Sequence, residues 1–134
     1  MGHAEVILLD THVLVWSQRD PRKLSRAAES AIRRAQRSSE LAISVMTVLE
    51  LANLIKRGRI RSMENLVTTI AELTNSITVL PVNWEVAMES IHLPAGFNSD
   101  PADRLIAATA RAQGIPLVTA DERILSCASV KTIW

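Results

Sequence analysis

The sequence predicts an α/β protein, a three-layer fold in which a central parallel sheet of four to five strands is flanked by helices. Short apolar runs alternate along the chain with longer segments of helical periodicity. No Asn-Gly or Asp-Gly dipeptide, the usual β-hairpin signal, separates these runs. Strands that are joined by helices form right-handed βαβ crossovers and are therefore parallel. The 134 residues suffice for a core, so we expect one domain over 1–134.

Five short apolar runs are the predicted strands of this sheet. In the first of them, residues 6–9, four consecutive apolar residues are typical of a strand that is buried on both faces. Pro81 indicates that the third strand lies at an edge, because proline cannot donate a ladder hydrogen bond. The predicted strands are residues 6–9, 41–45, 78–82, 115–118 and 130–134.

Helical periodicity and end signals predict the segments between the strands. In residues 24–38, apolar side chains recur at spacings of three and four, and arginines occupy the other face. Ser62 and Asn83 are candidate N-caps, and Gly58 and Gly114 follow helix ends. The predicted helices are a short helix or turn at 11–16, longer helices at 24–38, 47–57, 63–75, 83–92 and 100–113, and a short helix that starts near residue 121, with a loop at 93–99.

The distribution of charge along the chain favours a polyanionic partner. Residues 19–61 carry eleven Lys and Arg against four acids, a net charge of +7, whereas residues 62–134 carry four basic and eight acidic residues, a net charge of −4. A basic half beside an acidic site is typical of an enzyme that processes a polyanion. Solvated helix faces also produce such runs, so the charge pattern alone leaves both interpretations open.

Composition excludes several classes of protein. Cys127 is the only cysteine, which excludes a disulfide framework and a thiolate metal cluster, and we expect it to fill space in the core. No apolar run approaches the roughly 18 residues that span a membrane. Asp10 interrupts the first apolar stretch and no basic region precedes it, so we expect no secretory signal and a cytoplasmic protein. We expect Trp16 and Trp84 to lie in the core rather than at an interface.

Four acidic residues are predicted to meet at the carboxyl edge of the sheet, where open α/β proteins place their chemistry. Asp10 follows the first strand, where it also suits the N-cap of the next helix, and Asp121 follows the fourth strand. Asp103 lies in the first turn of a helix that is apolar on nearly all sides. Glu50 lies in a helix and has no basic residue three or four positions away.

Helix capping is an alternative explanation for some of these acids. Asp100 and Asp103 suit the N-cap and N3 positions of one helix. Thr119 and Glu122 have the spacing of a capping box, which leaves Asp121 free. The coincidence of four acids at one predicted edge is less easily explained by caps alone.

The four acids are candidate ligands of a divalent metal. Neighbouring carboxylates raise one another's pKa unless a cation neutralises them. Oxygen-only ligands favour Mg²⁺ or Mn²⁺ over zinc. The three histidines show no zinc-ligand spacing such as HExxH. We therefore expect a Mg²⁺ (or Mn²⁺) site.

Four segments resemble, in order, the sequence motifs of PIN domains, and the first closely resembles that of VapC toxins from bacterial VapBC toxin–antitoxin pairs. Together they cover nearly the whole chain, and four motifs in order at suitable spacing are far more specific than a single aspartate. The segments are residues 8–16 (LLDTHVLVW), 44–52 (SVMTVLELA), 100–110 (DPADRLIAATA) and 117–121 (LVTAD).

The resemblance implies a PIN-like fold with an acidic pocket at the carboxyl ends of the strands. It also implies a Mg²⁺- or Mn²⁺-dependent endoribonuclease that forms a homodimer and is inhibited by a cognate antitoxin, whose C-terminal arm enters the active-site groove. Asp100 is acidic in only part of the family, so its role stays open. The residues that match the family's pattern are the catalytic and metal-binding acids Asp10, Glu50, Asp103 and Asp121, and the nearby polar residues Thr11 and Thr119.

Metal-assisted hydrolysis of RNA is the favoured function. Although His12 lies in the first motif, no motif pairs a nucleophile with a His or Lys that could act as its base, so the metal would activate water. In this scheme Asp10 and Asp121, with Asp103, hold one metal. Glu50 holds a second metal or orients the attacking water. Basic residues of 19–61 bind the flanking phosphates of the RNA.

Three other functions are alternatives to hydrolysis of RNA. A phosphatase of the haloacid dehalogenase type requires a second aspartate where this chain has His12. A receiver domain requires an aspartate after the third strand, where this chain has Val82 and Asn83. A catalytically silent PIN-like module that sequesters a protein or RNA partner is the remaining alternative. RNA cleavage that is indifferent to Asp10→Asn would favour that module.

Overall fold

The computed structural model describes residues 5–134, so His3 lies outside the described residues, and it confirms an α/β fold on a parallel sheet. Five strands form one sheet in the order β3-β2-β1-β4-β5, and every neighbouring pair is parallel. The strands are β1 (Ile7–Leu9), β2 (Leu41–Ser44), β3 (Thr78–Leu80), β4 (Leu117–Val118) and β5 (Thr132–Ile133).

Seven α-helices connect these strands within the described residues. A single 3₁₀ turn at Pro21–Lys23, which begins with proline, separates the first two helices. No helix of residues 5–134 is long and apolar enough to cross a membrane. The helices are α1 (Thr11–Arg19), α2 (Arg26–Arg37), α3 (Val45–Lys56), α4 (Leu66–Leu73), α5 (Trp84–Ile91), α6 (Pro101–Gln113) and α7 (Glu122–Leu125).

The hydrophobic core lies on both faces of the sheet. Every residue of β1 and β2 is buried, as expected for central strands covered by helices on each side. Because successive side chains of a strand point to opposite faces, Leu9 packs among buried residues of α1, α2 and α3, and Leu8 packs among those of α6 and α7. The central position of β1 therefore places the residue after it between two helical layers.

The strand order brings the carboxyl ends of β1 and β4 side by side. Leu9 pairs with Val118, and the backbone N–H of Asp10 donates to the carbonyl of Val118 at 3.0 Å, which extends the ladder by one residue. Asp10 and Thr119 therefore leave the sheet next to each other. β2 flanks β1 on the other side and leads directly into α3.

Several observed elements begin or end one to three residues from the predicted bounds, and in two cases the reason is a different N-cap. Val45, the expected end of the second strand, begins α3, because the Ser44 hydroxyl accepts a hydrogen bond from Met46 N at 3.1 Å. The helix expected over 63–75 begins three residues later. Its cap is Asn65 and not Ser62, and the Asn65 side chain accepts from the third residue of the helix at 2.8 Å.

The edge position of β3 and the cap of α5 are confirmed, but neither Trp16 nor Trp84 is the core residue that we expected. β3 lies at an edge of the sheet, and Asn83 caps α5 through Val86 N at 3.0 Å. Trp84, however, is 76% exposed, because α5 turns Val86 and not Trp84 toward the core. Trp16 is half-buried rather than a core residue. Cys127 is partly buried and packs against the α6 side of the core.

Candidate active site

Asp10 lies at the middle of the carboxyl edge and is held by two donors. Its Oδ1 accepts from Thr11 N at 2.9 Å, which caps α1, and its Oδ2 accepts from the Thr119 hydroxyl at 2.7 Å. Burial raises the pKa of Asp10 above its usual value, and the hydrogen bond from Thr119 opposes that rise. Asp10 therefore caps a helix and also presents a partly desolvated carboxylate at the edge.

The predicted capping box at Thr119 is wrong. Thr119 is fully buried, donates to Asp10, and accepts from Asp121 N at 3.1 Å. The cap of α7 is instead Asp121, whose Oδ1 accepts from Arg123 N at 2.9 Å. Asp121 therefore does stand at the predicted edge, but it is not free: it caps a helix and forms an exposed ion pair with Arg123 at 3.5 Å.

Glu50 reaches the site from α3 and is held by a threonine pair. Its Oε1 accepts a hydrogen bond from the buried hydroxyl of Thr11. The hydroxyl of Thr47, which is also buried, lies 3.0 Å from that of Thr11. Since the proton of Thr11 goes to the carboxylate, Thr47 is the donor of this pair. Burial raises the pKa of Glu50, and the Thr11 hydrogen bond opposes the rise.

Asp103 occupies the N3 position of α6, as the sequence predicts, and is held by Asn98. The Asn98 amide donates to Asp103 Oδ2, and its Oδ1 accepts from Asp100 N at 3.0 Å. Asn98 is only 8% exposed. Burial is the main cause that raises the pKa of Asp103 to about 6, and the negative charges of neighbouring carboxylates, led by Asp10, raise it further.

Asp100 serves as the N-cap of α6. Its Oδ1 accepts from Ala102 N at 2.8 Å and from Asp103 N at 3.3 Å, and the residue is exposed. Pro101 stands at N1, where its missing N–H costs nothing. Asp100 therefore lies at the rim of the acidic group, and the local hydrogen bonds account for its presence.

The loop at 93–99 is fastened to α6 by Arg104. The Arg104 guanidinium donates to Ser90 O at 2.8 Å and to Asn98 O at 3.3 Å, and it lies 5.7 Å from the centre of the Phe97 ring. Phe97 and Asn98 are both buried. Arg104 therefore fixes the loop that carries the donor to Asp103.

Three residues that support the site were not predicted from the sequence: Thr47, Asn98 and Arg104. Thr47 lies three positions before Glu50, on the same face of α3, so helical spacing was an available signal. Arg104 follows Asp103 directly within the third motif. Asn98 lies in a loop without periodicity, and no spacing rule indicates its contact.

The oxygen donors of this group fit a hydrated divalent cation. No three Asp, Glu, His or Cys side chains within residues 5–134 converge into a ready coordination shell. Mg²⁺ does not require one, because it retains several waters and is commonly held by one or two carboxylates. The pKa of Asp103 is raised mainly by burial and further by the negative charges of neighbouring carboxylates. A bound cation would neutralise these charges.

The sequence of this chain matches a known protein family. Residues 7–129 match the PIN domain family model. The chain is also 37% identical over 130 residues to Ribonuclease VapC22 of Mycobacterium tuberculosis, covering 96% of this chain and 98% of that protein. The chain belongs to the PIN-domain family. The four segments that resemble PIN-domain motifs all lie within the matched residues.

Solved structures are similar to this PIN domain in fold. VapBC2 from Rickettsia felis, bound to a DNA fragment from its promoter, has a TM-score of 0.72 at 15% identity and covers 94% of this chain and 96% of that one. DNA-bound VapBC from Salmonella typhimurium has a TM-score of 0.69 at 18% identity, with 96% of each chain covered. At these identities the likeness establishes the fold.

Proposed function

We propose that this PIN-domain protein is an endoribonuclease, the toxin of a toxin–antitoxin pair, and hydrolyses phosphodiester bonds of RNA with metal-activated water. The observation that carries the proposal is the group of carboxylates at the carboxyl edge, three of which are each held by a donor from another part of the chain. The relative named Ribonuclease VapC22 supports the reaction class, since the two chains match over almost their full lengths.

The proposed ligands of the cation are Asp10 and Asp121 together with Asp103, and the cation is Mg²⁺ or Mn²⁺. When bound, the cation lowers the pKa of a water ligand and neutralises negative charge on the phosphate. Thr119 holds one oxygen of Asp10 in place, so the carboxylate faces the edge without rotating. Asn98 does the same for Asp103.

Glu50 is the proposed group that orients the attacking water or contacts a second cation. Thr11 holds Oε1 of Glu50, so Oε2 is the atom that we assign to the water. Burial raises the pKa of Glu50, which brings it closer to the range in which a carboxylate accepts a proton efficiently. The hydroxyl of Thr47 keeps Thr11 oriented as a donor.

The basic helix α2 is the proposed contact for flanking RNA phosphates. One face of α2 packs on the sheet through Ala28, Ile32 and Ala35, and the opposite face carries exposed arginines. Phosphate binding by Arg and Lys does not depend on base sequence and weakens as salt concentration rises. The exposed arginines of this face are Arg26, Arg33, Arg34 and Arg37.

The proposed partners are RNA, a cognate antitoxin and a second copy of the chain. VapBC complexes are among the solved structures that share this fold, which supports an antitoxin that covers the acidic groove. A homodimer is supported by Trp84, Met88 and Ile91, which are exposed at spacings of four and three and form one apolar stripe on α5. We propose that the protein acts in the cytoplasm, where RNA is available.

Cleavage of a pool of structured RNAs tests the proposed function. The purified protein, free of antitoxin, is compared with Asp10→Asn in Mg²⁺, in Mn²⁺ and in EDTA. Asp20→Asn is the matched control, since Asp20 forms an ion pair with Arg22 outside the site. We expect metal-dependent cleavage by the wild type and by Asp20→Asn, and none by Asp10→Asn. Cleavage that is equal in all three proteins would favour the catalytically silent binding module.

A further inference from the structure

A row of aromatic side chains leads away from the acidic site along α1. The rings of His12 and Trp16 have centroids 6.0 Å apart and planes inclined at 50°. The ring of Trp134 follows at 6.0 Å from that of Trp16, inclined at 54°. The ammonium of Lys23 lies 5.8 Å from the centre of the Trp16 ring. We call these four residues the aromatic platform.

The aromatic platform adjoins the acidic site. His12 lies two residues after Asp10, in the first turn of α1, and Trp16 lies one turn further, about 6 Å along the helix axis. Trp134 directly follows β5, so it stands at the same carboxyl edge as Asp10. The row therefore begins at the carboxylates and ends at the β5 side of the sheet, opposite the β3 edge.

The aromatic platform is not the core-facing side of α1. The core-facing residues of this helix are Val13 and Leu14, which are at most 1% exposed. His12 and Lys23 are exposed, and both tryptophans of the platform are only half-buried. Lys23 forms no ion pair within the described part of the chain. Trp134 also packs against the hydrophobic core, so the surfaces open to a ligand are His12, Lys23 and the uncovered parts of the two tryptophans.

The surroundings of the platform are basic. Arg19, Arg22 and Arg26 lie within four residues of Lys23 along the chain, and the one acid among them, Asp20, is paired with Arg22 at 3.2 Å. Aromatic rings beside unpaired positive charge are the combination that binds single-stranded nucleic acid, because bases stack on the rings and phosphates meet the cations. Binding of phosphates alone would not require the aromatic rings.

We propose that the aromatic platform binds bases of single-stranded RNA adjacent to the scissile phosphate, with Lys23 at the backbone. This subsite rests on the proposed function, since it holds the same substrate beside the same carboxylates. Stacking tolerates any base because every base has a π-face, so the subsite favours unpaired RNA over duplex rather than one base over another. It gives the acidic site, which itself repels phosphates, a means of holding RNA.

Binding of two matched oligomers tests the platform. The parent protein is Asp10→Asn in EDTA, so that cleavage plays no part, and affinity is read from the anisotropy of a labelled oligouridine. The comparison ligand is an abasic ribose-phosphate oligomer of equal length, which has the same charge and no bases. We expect the oligouridine to bind about tenfold more tightly, the order of one stacked base.

Variants of the platform complete the test. Trp16→Leu in the same parent should reduce affinity for oligouridine to about that for the abasic oligomer, and His12→Ala, at an exposed position, should reduce it in the same direction without a folding risk. His92→Ala is the matched control for His12→Ala, because His92 is also exposed and lies outside the platform. Circular dichroism verifies that each variant is folded.

Two results would overturn the platform. One is equal affinity of the parent for the two oligomers. The other is an affinity for oligouridine that neither Trp16→Leu nor His12→Ala changes, as expected if these rings serve a protein partner. Both results are independent of cleavage, so they leave the proposed function standing, whereas a wild type that cuts no RNA would contradict the proposed function and leave this binding result intact.

Discussion

Three carboxylates of the site are each held by a neutral donor rather than by a basic side chain. Thr119 donates to Asp10, Thr11 donates to Glu50, and Asn98 donates to Asp103. A neutral donor fixes an oxygen without cancelling its charge, so the group keeps its attraction for a cation. A basic partner in the same place would have neutralised the site.

Loss of the Asn98 donor is expected to impair catalysis while Asp103 remains in place. Asn98→Ala should lower kcat for RNA cleavage by about tenfold, since donors that orient ligating groups are commonly worth that much. Ser99→Ala, at the exposed neighbouring position, is the control and should retain the wild-type rate. A wild-type kcat in Asn98→Ala would show that the orientation of Asp103 does not depend on this amide.

The raised pKa of Asp103 predicts a pH-dependent cost to stability. With a folded-state pKa of about 6 against an ordinary value of 3.8, the folded protein holds this proton more tightly than the unfolded chain does. The contribution of Asp103 to the free energy of unfolding therefore increases as pH falls from above 6 toward 3.8. At pH 8 the ionised carboxylate destabilises the metal-free fold. In EDTA at pH 8, Asp103→Asn should raise Tm by about 3 °C.

The same variant at lower pH provides the check. Thermal unfolding of Asp103→Asn and the wild type at pH 5 should give a smaller difference in Tm than at pH 8, because the wild-type carboxyl is then largely protonated. A difference in Tm that is the same at both pH values would mean that the effect of the substitution is unrelated to ionisation.

At the scale of elements, the two acids at the N-terminus of α6 differ in role: Asp100 caps the helix, whereas Asp103 is a proposed metal ligand. Asp100 accepts two backbone N–H bonds and is exposed. Asp100→Ala should lower the free energy of unfolding by about 1 kcal/mol, the usual worth of a cap. Asp100→Asn retains the capping oxygen and should preserve both stability and cleavage. Loss of cleavage in Asp100→Asn, with stability unchanged, would place the carboxylate in the catalytic machinery.

Local signals predicted most elements, and failures occurred where two signals competed. Pro101 and Gly114 bound α6 as expected, because each has one favoured position at a helix end. Ser62 and Asn65 are both good N-cap types, and only packing of the helix decides between them. Thr119 has capping-box spacing, but a buried hydroxyl beside Asp10 has a nearer acceptor across the sheet.

The sequence motifs predicted the acids of the site but not all of the donors that hold them. The placement of Asp10 and Asp121 follows from strand ends and that of Asp103 from a helix start, all of which periodicity reveals. The hydrogen bond of Asn98 to Asp103 depends on the path of an irregular loop, and that path is fixed by Arg104, which reaches back to Ser90. A tertiary interaction of this kind cannot be predicted from the spacing of residues in the sequence.

At the scale of the whole molecule, the basic face of α2 predicts salt-sensitive binding of RNA. Replacing Arg26, Arg34 and Arg37 with Gln in the Asp10→Asn parent should flatten the dependence of log affinity on log salt, by about 0.7 for each phosphate that the variant no longer neutralises. Lys131→Gln, an exposed change in the acidic half of the chain, should leave the slope unaltered. A slope that is insensitive to the three arginines would remove α2 from the RNA-binding surface.

Binding of Mn²⁺ is the most direct test of the central claim, that the carboxylates at the sheet edge form a divalent-metal site. Electron paramagnetic resonance of free Mn²⁺ gives the affinity of the wild type, Asp10→Asn and Asp20→Asn without RNA or turnover. We predict that the wild type and Asp20→Asn bind alike and that Asp10→Asn binds about tenfold more weakly, since it has lost one charged ligand. Equal Mn²⁺ affinity in all three proteins would contradict a metal site at this edge.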